Sequence, residues 1–234
     1  MINNIKVEMC IGNIDDAITA SRYPIDRIEL NSALELGGLS PSIQTIKTLK
    51  ELISTPLCCM CRTRGGDFNY TELEMETMLK DARDMLEAKA DGIVFGFLNK
   101  DRTINVEYSK RMVDLIHSYN NEAIFHKAFD EIDDLDSAIQ TLIDLKVDRI
   151  LTSGKAIYPD ILQGCKTIKK LNDKYSSQIE LLPGGGVRIE NIVDVIRTSG
   201  SNQIHMTSKK QDSKGYTCLD ETQLQILLDK IGSL

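Results

Sequence analysis

The sequence predicts a single (β/α)₈ barrel spanning residues 1–234, and three observations predict it. Eight short apolar runs recur along the chain, roughly 25–30 residues apart. A segment with helical spacing follows each run. The runs also end on charged, imidazole, thiol or glycine residues, as in Val7-Glu8-Met9-Cys10, Ile28-Glu29-Leu30-Asn31, Met60-Cys61-Arg62-Thr63-Arg64, Ile124-Phe125-His126 and Gln203-Ile204-His205-Met206-Thr207. In parallel α/β proteins the reactive groups gather where strands end and βα loops begin. A doubly wound open sheet is the alternative, but no Gly-x-Gly-x-x-Gly turn follows the first strand.

The elements follow in order. Strand 1 is Ile5–Cys10, and helix 1 runs Ile14–Ser21 from an Asn13 cap. Strand 2, Arg27–Asn31, leads into the glycine loop Glu35–Pro41. Helix 2, Ser42–Ile53, carries Ile43, Ile46, Leu49 and Ile53 at helical spacing, and Pro56 separates it from strand 3, Leu57–Arg62. Helix 3 starts after Thr71, with Glu74 three residues on in a capping-box pattern, and reaches Ala88. Strand 4 is Gly92–Phe97, helix 4 Val106–Ser118, strand 5 Ala123–His126 and helix 5 Asp134–Leu145. Strand 6, Arg149–Thr152, precedes helix 6, Pro159–Asn172. Strand 7, Ile179–Leu182, precedes helix 7, Ile189–Ser199, and strand 8, Gln203–Met206, precedes helix 8, Asp220–Ile231.

Of the 234 residues, 41% are hydrophobic, enough for a sizeable core. A net charge of −7 argues against a nucleic-acid partner, whose binders usually carry a basic face. No stretch is apolar enough to suggest a membrane span, and Met1–Lys6 lacks the start of a signal peptide. Six cysteines, three of them at Cys58, Cys59 and Cys61, do not form a disulfide framework in a chain this long, and a reducing cytosol is expected. A homo-oligomer is left open.

Alternation along each strand separates a barrel-facing set from a helix-facing set. It turns Glu8, Cys10, Glu29, Asn31, Arg62, Gln203, His205 and Thr207 inward, and Cys59 and Cys61 outward beneath the helices. Glu8 and Glu29 fall on neighbouring strands about 4.8 Å apart. Two carboxylates that close repel unless a cation intervenes, and Arg62 is the expected neutraliser. Glu8, Glu29 and His126 are thus acid/base candidates; the same Glu–Glu–Arg trio would also serve as a plug fixing barrel register. Arg62 and Arg64 are expected to clamp an anion. The turn Gly184, Gly185, Gly186 and the strand-8 end with His205, Thr207 and Ser208 stand where barrels often hold phosphate. Cys58-Cys59-Met60-Cys61 has no second pair to complete a zinc site and reads as core.

These residues carry a resemblance. Asp26-Arg27-Ile28-Glu29-Leu30, Gly37-Gly38-Leu39-Ser40-Pro41-Ser42, Arg62-Thr63-Arg64-Gly65-Gly66-Asp67-Phe68, Phe125-His126-Lys127-Ala128-Phe129-Asp130, Leu151-Thr152-Ser153-Gly154 and Pro183-Gly184-Gly185-Gly186 occur together in this order. Over nearly its full length the chain resembles the CutC copper-homeostasis proteins, which implies a cytosolic TIM barrel. The resemblance implies Cu(I) bound by cysteines at the ends of strands 1 and 2. Cys10 matches the first position, whereas Asn31 stands at the second, and cuprous ion prefers thiolate. Thr63 for proline, Lys127 for arginine and Met206-Thr207 at the strand-8 end are further departures. The matched stretches place Asp130 and Thr152 among the residues around a bound anion. Two functions follow: copper handling at the barrel mouth, or an enzyme acting on a small anionic or phosphorylated metabolite.

Overall fold

The computed structural model describes residues Met1–Leu234. Eight parallel strands alternate with helices around a nearly closed barrel. The chain runs β1 (Lys6–Ile11), α1 (Ile14–Ala20), β2 (Arg27–Leu30), α2 (Ile43–Leu52), β3 (Leu57–Met60), α3 (Glu72–Glu87), β4 (Gly92–Phe95), α4 (Val106–His117) and β5 (Glu122–Phe125). It continues as α5 (Leu135–Asp144), β6 (Arg149–Thr152), α6 (Leu162–Tyr175), β7 (Glu180–Pro183), α7 (Ile192–Ser199), β8 (Gln203–Met206), β9 (Lys209–Gln211), β10 (Thr217–Leu219) and α8 (Glu221–Gly232). Hydrogen-bonded neighbours run from β7 back to β1 and then β8. The seam between β7 and β8 is held through side chains: Ser201 Oγ donates to the Leu181 carbonyl (2.8 Å) and Gln203 Nε2 to Glu180 (3.1 Å).

Local chemistry sets the helix starts. Asn13 accepts from the Asp16 amide at 2.8 Å, and Thr71 and Glu74 form a reciprocal box at 3.2 and 2.7 Å. Where the expected boundaries move, a hydrogen bond explains it. β3 stops at Met60 because the Arg62 amide turns to Ser40 Oγ (2.9 Å). α7 starts at Ile192 rather than Ile189 because the Arg188 amide is taken by Asn191 Oδ1 (2.8 Å). Tight turns at Pro159–Gln163 delay α6 to Leu162.

The antiparallel pair β9–β10 does not figure in the sequence expectation. Its turn is tied by Asp212 Oδ1, which accepts from the amides of Lys214 and Tyr216. Thr207-Ser208-Lys209 therefore enters a hairpin, and the Ser208 hydroxyl donates to the Asp220 carbonyl (2.6 Å).

Two apolar clusters reflect the two faces of the sheet. The larger includes Val7, Met9, Ile28, Leu30, Cys59, Cys61 and the helix faces; the smaller, Cys58, Met60, Val94 and Ile124, fills part of the barrel interior. Cys59 and Cys61 lie beneath the helices, with Cys61 Sγ donating to the Met78 carbonyl at 3.2 Å. No helix is long and apolar enough to cross a membrane.

Candidate functional site

The carboxyl ends of β1, β2 and β8 bring Cys10, Glu29 and His205 together, with one ligand atom from each lying within 4.8 Å of the others. Register explains this: Cys10 lies opposite Glu29, and Glu8 opposite His205. The three line a cavity of about 140 Å³ together with Asn31, Arg62, Phe68, His126 and Lys127. Glu29 is 3% exposed; its Oε2 accepts from Asn31 Nδ2 at 2.8 Å, while its Oε1 has no protein partner. Asn31 Nδ2 also lies 3.6 Å from Cys10 Sγ. Burial pushes the Cys10 thiol well up, and the Glu29 carboxylate pushes it further.

Glu8 lies one layer below the mouth. Its Oε1 accepts from His205 Nδ1 (2.8 Å), its Oε2 from Arg27 Nε (2.9 Å), and Arg149 stands 3.9 Å away. Burial alone would raise its pKa, but the His205 hydrogen bond and the Arg149 and Arg27 charges hold the carboxyl well below the usual range. His205 is held upward in turn. Burial disfavours its cation, but the charge of Glu29 and the hydrogen bond to Glu8 outweigh that. With Nδ1 on Glu8, the imidazole has Nε2 left for the mouth.

His126 behaves oppositely. Its Nδ1 accepts from the Ala128 amide at 3.0 Å, which puts the proton on Nε2, and that atom is buried without a partner. Burial, with the charges of Arg62 and Lys127, pushes its pKa down to about 3. At neutral pH it is an uncharged donor packed 4.7 Å from the Phe68 ring.

A family model described as the CutC family matches residues 5–210. The chain belongs to the CutC family. A CutC family protein of Treponema denticola is 39% identical over 216 residues, covering 92% of this chain and 86% of that one. The human copper homeostasis protein cutC homolog is 34% identical over 213 residues, covering 91% and 77%. The crystal structure of a putative copper homeostasis protein CutC from Streptococcus agalactiae superposes with a TM-score of 0.79 at 32% identity, covering 86% of this chain and 97% of that one.

The CutC-like stretches supply the walls of this mouth, yet several of their residues are occupied. The expected two-arginine clamp does not form. Arg64 is drawn away to Glu74 (2.7 Å), Asp67 (3.2 Å) and the Asn69 carbonyl (3.0 Å), with its guanidinium over Tyr70. Arg62 spends both terminal nitrogens on the carbonyls of Gly37, Gly38 and Gly66 and stacks on Phe68, leaving only Nε unpartnered. Arg62 forms no ion pair with Glu8 or Glu29, contrary to its expected role as their neutraliser. Carbonyl-rich glycine loops compete for guanidinium, and sequence spacing does not reveal that competition.

Asp130 is equally committed. It accepts from the Thr152 hydroxyl, from the Ser153 amide and hydroxyl (2.9 and 2.7 Å) and from the Lys155 amide. Asp130 and Thr152 thus hold the β6 loop to the Lys127–Glu131 turn. Ser208 is spent on the Asp220 carbonyl. Gly184 packs so closely that a Cβ would meet Leu151 at 2.6 Å and His205 at 2.9 Å. Gly185 and Gly186 adopt φ of +96° and +106° and, with Thr207, face a second cavity of about 290 Å³.

Sequence reasoning missed Arg27 and Arg149, both buried inside the barrel. Arg27 bonds Gln203 (2.8 Å) as well as Glu8; Arg149 bonds Glu122 (2.6 Å) and stands 3.6 Å from Glu180. The signal was available, since each opens its strand, and the alternation that turns Glu29 and Asn31 inward turns Arg27 inward too. Lys127 was missed as a mouth residue because it follows the strand end by two positions.

Proposed function

We propose that this chain handles copper as cargo at the mouth of its barrel, with Cys10, His205 and Glu29 as the donors. The observation that carries the reading is their convergence within 4.8 Å. The chemistry fits: a thiol and an imidazole suit copper, and a carboxylate adds charge. His205 is oriented for coordination by Glu8, the arrangement that fixes tautomers in metal-ligating histidines. Because the thiol is held protonated by burial, copper uptake releases a proton and weakens as pH falls. Asn31 contributes no thiolate, so cuprous ion has one sulfur here rather than two. Relatives named as copper homeostasis proteins support a copper role.

Anaerobic competition against a Cu(I) chelator tests this. Wild type should bind one equivalent, and Cys10→Ser and His205→Ala should each lose most of that binding. Unchanged affinity in both variants would sink the assignment.

A second reading has its own support. Three buried polar atoms around the same cavity, Glu29 Oε1, His126 Nε2 and Arg62 Nε, lack protein partners. Such atoms are costly unless a ligand or water satisfies them. They suit a small anionic metabolite, with Glu29 and His205 exchanging protons and His126 donating to a developing oxyanion. In this role Glu8 positions His205. A thermal-shift screen of small anions tests the reading, because a ligand of the native state raises Tm by mass action.

A further inference from the structure

We infer that the upper wall of the mouth binds a phosphomonoester group, held by the backbone amides of Gly185, Gly186 and Val187 and by the ammonium of Lys127. The inference rests on the small-anion reading above and specifies its ligand class. The three consecutive amides donate to no protein acceptor, whereas their neighbours do: the Gly184 amide bonds the Thr152 carbonyl (3.0 Å) and the Arg188 amide bonds Asn191 (2.8 Å). Successive unpaired amides in a turn form an anion-binding concavity. Side chains are excluded there, since a Cβ on Gly185 would lie 2.8 Å from Lys127 Nζ and one on Gly186 would strike the Pro159 carbonyl.

Lys127 Nζ approaches this turn without forming a hydrogen bond or an ion pair within the chain. It faces both the 290 Å³ cavity containing the glycine turn and the 140 Å³ cavity containing His126 and Glu29, and the two cavities also share Cys10 and His205. Lys209 and Arg188 add positive charge at the rim, and Glu29 is the negative group on the floor.

The donor set selects phosphate over carboxylate. Three amides and a point cation match an anion with several outward oxygens, whereas a planar carboxylate is best met by a guanidinium fork. The guanidinium groups here are engaged: Arg188 bonds the Val187 carbonyl (2.6 Å) and the Tyr158 hydroxyl (3.0 Å), and Arg62 is held by loop carbonyls. At the other end of the joined cavities, the unpartnered His126 Nε2 can donate to, and Glu29 Oε1 accept from, the oxygens of a hydroxyl- or carbonyl-bearing carbon. A short phosphorylated polyol or keto compound has both ends.

The test is a ¹H–¹⁵N NMR titration of the full chain with inorganic phosphate, sn-glycerol 3-phosphate and, as a carboxylate control, malonate at constant ionic strength. Both phosphate probes should shift the Gly185, Gly186 and Val187 amides. Lys127→Gln should weaken their binding about tenfold, and Gly185→Ala should abolish it. Should Gly185→Ala fail to fold, Lys127→Gln still decides the matter. The inference is overturned if the three amides do not move with either phosphate probe, or if Lys127→Gln binds as wild type. If malonate binds at the mouth and the phosphates do not, this inference fails while the small-anion reading stands. If no anion binds, both fail.

Discussion

His205 Nδ1 and Glu8 Oε1 lie 2.8 Å apart inside the barrel, joining the imidazole at the mouth to the charged layer beneath it. The pair spans β1 and β8, placed opposite each other by register. Glu8 is also the carboxylate around which Arg27 and Arg149 gather. One side chain therefore orients the site and neutralises the barrel floor.

Replacing Glu8 tests both roles. Glu8→Gln leaves Arg27 without its carboxylate and weakens the surroundings of Arg149 in a buried setting. The expected cost is about 3–5 kcal/mol in urea unfolding, the range for breaking a buried ion pair. A loss below about 1 kcal/mol, the size of a surface pair, would show that the network is solvated.

The pH dependence of stability follows from the directions of the shifts. Glu8 is lowered from its ordinary 4.5, so its stabilisation is present above that value and lost as pH falls below it. His205 is raised from 6.5, so its contribution is full below 6.5 and lost as pH rises through the folded value. His126, lowered from 6.5 to about 3, contributes above 6.5 and loses that contribution on acidification across this interval. Unfolding midpoints measured against pH should decline on the alkaline side in wild type. That decline should be smaller in Glu8→Gln, which removes the charge of the acceptor that helps hold His205 upward.

The two mouth histidines should be separable by ¹⁵N NMR. His126 should stay in its neutral Nε2–H form from neutral pH down toward about 3, while His205 titrates above 6.5. A charged His126 at neutral pH would remove it as an oxyanion donor.

Asn31→Cys should tighten Cu(I) binding by about tenfold or more, because it adds a second thiol at a position whose side chain now reaches to 3.6 Å from Cys10 Sγ. The competition titration described above measures it. An unchanged constant would place the cuprous site elsewhere.

Arg64→Ala provides a contrast. Its partners Glu74 and Asp67 are at the surface, so the loss should stay within about 1 kcal/mol. Copper and anion titrations should match wild type, and a loss of either would restore Arg64 to the mouth.

The alternation of apolar runs and helical segments determined the barrel by itself, since period-two and period-3.6 patterns are local properties of the chain. The same alternation determined that Glu8, Cys10, Glu29 and His205 point inward and that Cys59 and Cys61 do not. Tertiary structure decided what those groups touch. Arg62 was legible as inward, but its diversion to the carbonyls of Gly37, Gly38 and Gly66 depends on how two loops pack. The neutraliser of Glu8 proved to be Arg27 and Arg149, the latter brought from β6 across the barrel interior. His126 was visible as a strand-end imidazole, but its tautomer depends on one amide two residues away in the folded turn. Periodicity assigns a side chain to a face; its partner and its charge are set by distances across strands remote in sequence.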